Sequence, residues 1–219
     1  MVPAADTATG DAGYWAGALF ACLQDMAALS SNAALLTLYG IERLERGRRY
    51  PDAGLEFAGK RWRAFYHCHD SGPTAAGEHG HFHIFTTAGK QGWAHVAGLS
   101  IDAMGQPLQW FAVNRWVTDG PWLAAGDLQQ QLAAATGCAA EPLVGRWLLA
   151  LLQLDQAGLA ELLARRDTEL QRHAAGRDIA EVHADRTLYT LATRRVDLQL
   201  LLQHALAFPP AAAAQRRHA

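Results

Sequence analysis

The chain has 219 residues, with 19 basic and 21 acidic side chains, a net charge of -2 and 50% hydrophobic residues. At roughly 100–200 residues per domain this predicts one domain with enough apolar mass for its own core. The charge balance argues against the basic face of a nucleic-acid binder and the cationic surface of an anionic-membrane anchor. No apolar run reaches the ~18 residues of a membrane span, and the first residues lack the basic start of a signal peptide. Three scattered cysteines, Cys22, Cys68 and Cys138, make neither a disulfide framework nor a CxxC site, so a reducing, cytoplasmic setting is expected.

Residues 1–11 read as a loose tail. Residues 12–29 carry Trp15, Leu19, Cys22, Leu23 and Met26 at helical spacing, and Ser30, Ser31 and Asn32 offer N-caps for a second helix over 33–46, closed by Gly47. Arg43, Arg46, Arg48 and Arg49 gather at that end, where basic side chains complement a helix C-terminus; an anion site is the alternative. Pro51 stops the helix and the period changes to 2. Strands are predicted over 61–69, 80–86, 92–101 and 107–118, joined by short glycine-bearing loops that favour hairpins. After Pro121 the pattern is helical over 124–136, 140–155, 157–174 and 178–206, the second of these apolar on several sides and therefore buried. Residues 207–219 read as a second tail. The order predicts an α+β fold: a four-stranded antiparallel meander over about 61–118, flanked by an N-terminal helix pair and a C-terminal helical region in one domain, 12–206. The last helix would cover the sheet or form a homodimer seam.

Six of the ten histidines, His67, His69, His79, His81, His83 and His95, lie within positions 67–95. On a strand, residues i and i+2 share a face, so His67 pairs in direction with His69, and His81 with His83. Short hairpins would set 69 against 81, 67 against 83, 83 against 95 and 95 against 114. One row would then read His67, His83, His95, Asn114. A second would read His69, His81, Ala97, Ala112, and a third Phe65, Phe85, Trp93, Trp116. The other face would carry Tyr66, Phe82, Ile84, Val96, Phe111 and Val113. Opposed side chains stand ~4.5–5.5 Å apart at Cβ, close enough for imidazoles to share an ion. The pattern therefore predicts one transition-metal ion, Zn or Fe, held by at least three of His67, His69, His81, His83 and His95. All-nitrogen ligands do not choose between metals.

Glu78 and Asp70 close the two ends of the loop between the first two strands. Glu78 would complete the coordination or act as general base toward a bound water, with Asp70 as a second carboxylate and Asn114 orienting a ligand. Phe65, Phe85, Trp93, Trp110 and Trp116 would wall a small-molecule pocket. His79, beside Gly80, reads as a loop residue.

The stretch His79-Gly80-His81-Phe82-His83-Ile84-Phe85 resembles the histidine-triad motif of nucleotide hydrolases and transferases. That resemblance implies metal-free phosphoryl transfer with His81 as nucleophile and His79 and His83 as phosphate-supporting groups. Gly80 departs from the motif, which has an apolar residue there. Over about 60–200, the segments AFYHCHDSG, GEHGHFHIF, GLSIDAMGQPLQWFAVNRWVT and DRTLYTLATRRVDLQ resemble an uncharacterised bacterial domain-of-unknown-function family, which implies one domain and no particular activity. The local chemistry is similar to the metal sites of cupins and carbonic anhydrases, without their spacing. The leading expectation is a metal-dependent enzyme acting on a small molecule, against a metal-free triad enzyme and a non-catalytic ligand- or metal-binding module.

Overall fold

The computed structural model describes residues 12–69 and 75–207; the expected tails at 1–11 and from 208 onward, and the candidate Asp70, lie outside the described residues. Helix α1 (Ala12–Ala28) buries Trp15, Leu19, Cys22 and Met26. Helix α2 (Ala33–Thr37) starts where expected, with the Asn32 side chain accepting from the Leu35 N–H at 3.0 Å. It stops at Thr37, not at 46. Gly40, with φ +80, turns the chain into a conformation that side-chain-bearing residues avoid. Gly47 therefore caps no helix, and its N–H donates to the Cys68 carbonyl.

Six strands follow among the described residues, not four. They are β1 (Tyr50–Phe57), β2 (Trp62–His67), β3 (Gly80–Thr87), β4 (Trp93–Ile101), β5 (Pro107–Val113) and β6 (Thr190–Arg195), in one antiparallel sheet of order β1-β2-β3-β4-β5-β6. The two unexpected strands are the edges. Pro51 stops a helix but is tolerated on an edge strand, where its missing N–H breaks no ladder bond. β6 lies inside the segment read as one helix over 178–206. Asp185 accepts from both the N–H and the hydroxyl of Thr187 and turns the chain, and the following Thr- and Tyr-bearing run pairs with β5.

The helices are α3 (Arg115–Thr118), α4 (Ala125–Ala133), α5 (Leu143–Leu154), α6 (Gln156–Ala174), α7 (Ile179–Ala184) and α8 (Leu198–Ala207). The main core joins α1, α5 and α6 to one face of the sheet: Leu19, Trp147, Leu148 and Leu162 lie in one cluster with Phe57, Trp62, Tyr66, Phe82, Ile84, Leu99 and Trp110. Burying each large apolar side chain contributes about 1.5–3 kcal/mol. Helix α5 is buried along nearly its whole length, as its sequence predicts. No single described helix is long and apolar enough to cross a membrane; α5 and α6 pass such a test only together, and they are bent by 77°.

The register decides what the other face displays. The β2–β3 ladder pairs His67 with His81 and Phe65 with His83, two residues away from the expected pairing. An even shift keeps every side chain on its face. The β3–β4 ladder pairs His83 with Gly98 and Phe85 with His95, with a bulge between. That extra residue in β4 reverses the alternation for everything beyond it. Ala97, Trp110 and Ala112 therefore join the helix-packed core, and Phe111, expected on the apolar face, stands beside the histidines.

Candidate metal centre

His67 ends β2, and His81 and His83 lie on β3 directly across from it and one pleat along. One ring nitrogen from each of these three lies within 4.8 Å of the others. His67 and His81 face one another through their Nε2 atoms at 2.6 Å. His81 and His83 are buried and His67 half-buried. The Phe111 ring packs edge-on against both buried imidazoles, with centroids 5.1 Å from His81 and 5.6 Å from His83. Gly98 permits this approach, because a Cβ there would sit inside the Phe111 ring.

Glu78 stands behind His81. Its Oε1 lies 2.5 Å from His81 Nδ1, and both side chains are 4% exposed. Burial pushes the Glu78 carboxyl up, but the hydrogen bonds from His81 and the Ala75 N–H help to outweigh it and hold the group below the usual carboxylate range. An ionised carboxylate only accepts, so His81 Nδ1 donates and Nε2 keeps its lone pair, aimed at His67. His95 plays the corresponding part for His83: Nδ1 of His83 lies 3.0 Å from His95 Nε2, leaving the other ring nitrogen to face the cluster.

Three of the imidazoles, His67, His83 and His95, are held neutral at neutral pH. Burial, then the neighbouring His81 and His69, push His67 down to about 3. Burial, then Arg166 and His81, push His95 down to about 3. Burial, then His95 and His81, hold His83 well below the ordinary imidazole value. A neutral imidazole with a free lone pair is the form that ligates a metal, and at His81 that lone pair faces the cluster. The residues fit an ion on a second count. Nδ1 of His67 and both ring nitrogens of His69 are buried with no hydrogen-bond partner among the described residues, an arrangement that buried polar groups rarely tolerate.

Of the five histidines expected as ligands, three converge. His69 flanks the set, its ring centroid 5.4 Å from His67 and 5.1 Å from His81. His95 supports His83 from behind. His79 belongs to neither arrangement. Its Nδ1 lies 2.6 Å from the Tyr66 hydroxyl, and its ring stacks on Tyr66, a core-face residue. The motif's three histidines therefore do not gather on one phosphate-sized site.

The expected roles of other residues change. Asn114 is not in the histidine row: it caps α3 through the Arg115 N–H and donates to the Val182 carbonyl, fully buried. Trp110 points into the core and donates to Asp155 at 2.9 Å. Trp93 carries Arg63 over its ring at 4.2 Å, toward the far end of the sheet. Trp116 sits on α3, donates to the Leu188 carbonyl and packs edge-on against Tyr189. Phe65 and Phe85 do line a cavity of about 70 Å³ beside His67 and His83, together with Arg49, Val117, Thr118 and Tyr189. Tyr189 comes from a segment read as helix and Arg49 from just beyond one, so only the arginine cluster gave a signal, and it pointed first to a helix end.

A protein-family model described as "Domain of unknown function (DUF6969)" matches residues 14–196. Comparison with the curated proteins and with the solved structures gave no match.

Proposed function

We propose, for a chain that belongs to the DUF6969 family and takes no named activity from it, that the site holds one transition-metal ion through His67, His81 and His83 and serves a metal-dependent reaction on a small molecule. The observation that carries this reading is the convergence of three imidazole nitrogens within 4.8 Å. The lone pair of His81 is fixed by the buried carboxylate of Glu78. Carboxylate–histidine pairs behind a metal set the ligand's tautomer and raise its basicity. Three protein ligands leave coordination positions for substrate or water, as catalytic sites require. An ion bound there would polarise a substrate oxygen or lower the pKa of a water; Zn suits hydrolysis or hydration, Fe oxidation.

The chain's own residues supply the setting. Glu78 and His95 orient the two buried ligands, Phe111 shields them from water, and the cavity bounded by Phe65 and Phe85 gives access from the other side. The test is metal analysis of untagged protein purified after expression with Zn and Fe supplied. About one metal per chain is expected, falling to background in His81→Ala with the fold retained by circular dichroism. Metal-free wild-type protein that cannot be reloaded would remove the proposal.

A further inference from the structure

Three neighbouring arginines differ in one respect. Arg48 pairs with Asp52 and Glu45, and Arg63 pairs with Glu56. Arg49 has no carboxylate partner among the described residues. Its guanidinium lies 5.8 Å from the Phe65 ring centroid, and it lines the same cavity as His67 and His83.

The charge pattern is incomplete as it stands. Histidine ligates a metal as the neutral imidazole, so three such ligands would offset none of a bound ion's charge, and among the described residues the carboxylate behind them is Glu78. An unpaired guanidinium at the rim of that cavity adds a second positive charge beside the centre. An anion between the two removes the repulsion and is drawn in by both. Arginine's planar fork suits a carboxylate, which it grips with two parallel bonds. Of the remaining walls, Phe65, Phe85 and Val117 suit a short apolar body, and Thr118 and Tyr189 are polar but offer no partner for a second charge.

We propose that this cavity binds a small organic carboxylate, its anionic end on Arg49 and its apolar body against Phe65, Phe85 and Val117. The proposal rests on the metal reading above for what the ligand's other end meets, and on Arg49 for its charge. A volume of about 70 Å³ limits the enclosed part to a few heavy atoms.

The experiment is an NMR titration of propionate and of its neutral isostere propionamide, run on metal-loaded and on metal-stripped protein, wild type and Arg49→Gln. Propionate is expected to bind about tenfold or more tightly than propionamide, and Arg49→Gln to weaken propionate by about the same factor. The variant should leave propionamide and metal content unchanged. Equal binding of acid and amide by the wild type, or unchanged propionate binding by Arg49→Gln, overturns the proposal. If the protein takes up no metal, the metal reading fails by itself, and the stripped-protein comparison still decides the role of Arg49.

Discussion

Glu78 reaches three residues forward along the chain's entry into β3 and accepts from His81 Nδ1 at 2.5 Å, with both side chains out of water. The bond fixes which nitrogen of His81 faces His67. It predicts that Glu78→Gln keeps the fold and the three ligands but lowers metal affinity by about 10–100-fold, the usual loss when such a partner is changed. Competition against a chelating dye measures this. Unchanged affinity would mean that the carboxylate does not act on the metal through His81.

The histidines should separate into three ranks. His67→Ala, His81→Ala and His83→Ala each remove one converging nitrogen and should abolish stoichiometric binding. His95→Ala removes only the support behind His83 and should weaken binding without abolishing it. His79→Ala, whose partner is Tyr66, should leave metal content at wild-type level. A His79→Ala protein that loses its metal while His83→Ala keeps it would return the site to the single-strand motif.

Much of this was legible in the sequence, and its errors have one main physical source. Periodicity found the central strands β2 to β5 because each is bounded by glycine-bearing turns and alternates cleanly. It also placed His67, His81 and His83 on a common face, since the β2–β3 shift was even. The β4 bulge near Phe85 and His95 leaves no mark in composition, yet it moved Trp110 inward and Phe111 outward. Edge strands were missed because each was read against a stronger neighbouring signal: Pro51 as a helix stop, and the Leu-bearing periodicity around β6 as one helix. Asn114 was read by its place in a row, whereas a strand that ends at Val113 makes it a helix cap.

The closeness of Gly98 and Phe111 gives a stability prediction. Gly98→Ala places a methyl where the Phe111 ring lies and should destabilise the fold by about 1–3 kcal/mol through overpacking. Phe111→Leu should recover part of that loss, a coupling that a double-mutant cycle in urea reads directly. On the opposite face, Phe82→Ala should cost about 3–5 kcal/mol, because Phe82 is fully buried against Trp147 and Tyr66.

The metal-free protein should lose stability on acidification. His67 and His95 hold values of about 3 in the fold, against about 6.5 in an unfolded chain. Above pH 6.5 both states are neutral and nothing changes. As pH falls from 6.5 toward 3, the unfolded state takes up protons that the folded state refuses, so stability declines across that window and levels below it. Urea midpoints at stepped pH check this. His95→Ala should flatten the dependence, and a midpoint that rises on acidification would contradict the neutral assignment.

The central claim is that three imidazoles of one sheet face share one ion, and X-ray absorption at the metal edge of the Zn-loaded protein tests it most directly. The account predicts a first shell of light atoms only, at about 2.0–2.1 Å, with the outer-shell signature of three imidazole rings, reduced in His83→Ala. A sulfur contribution near 2.3 Å, or a shell with fewer than three imidazoles in the wild type, would contradict it.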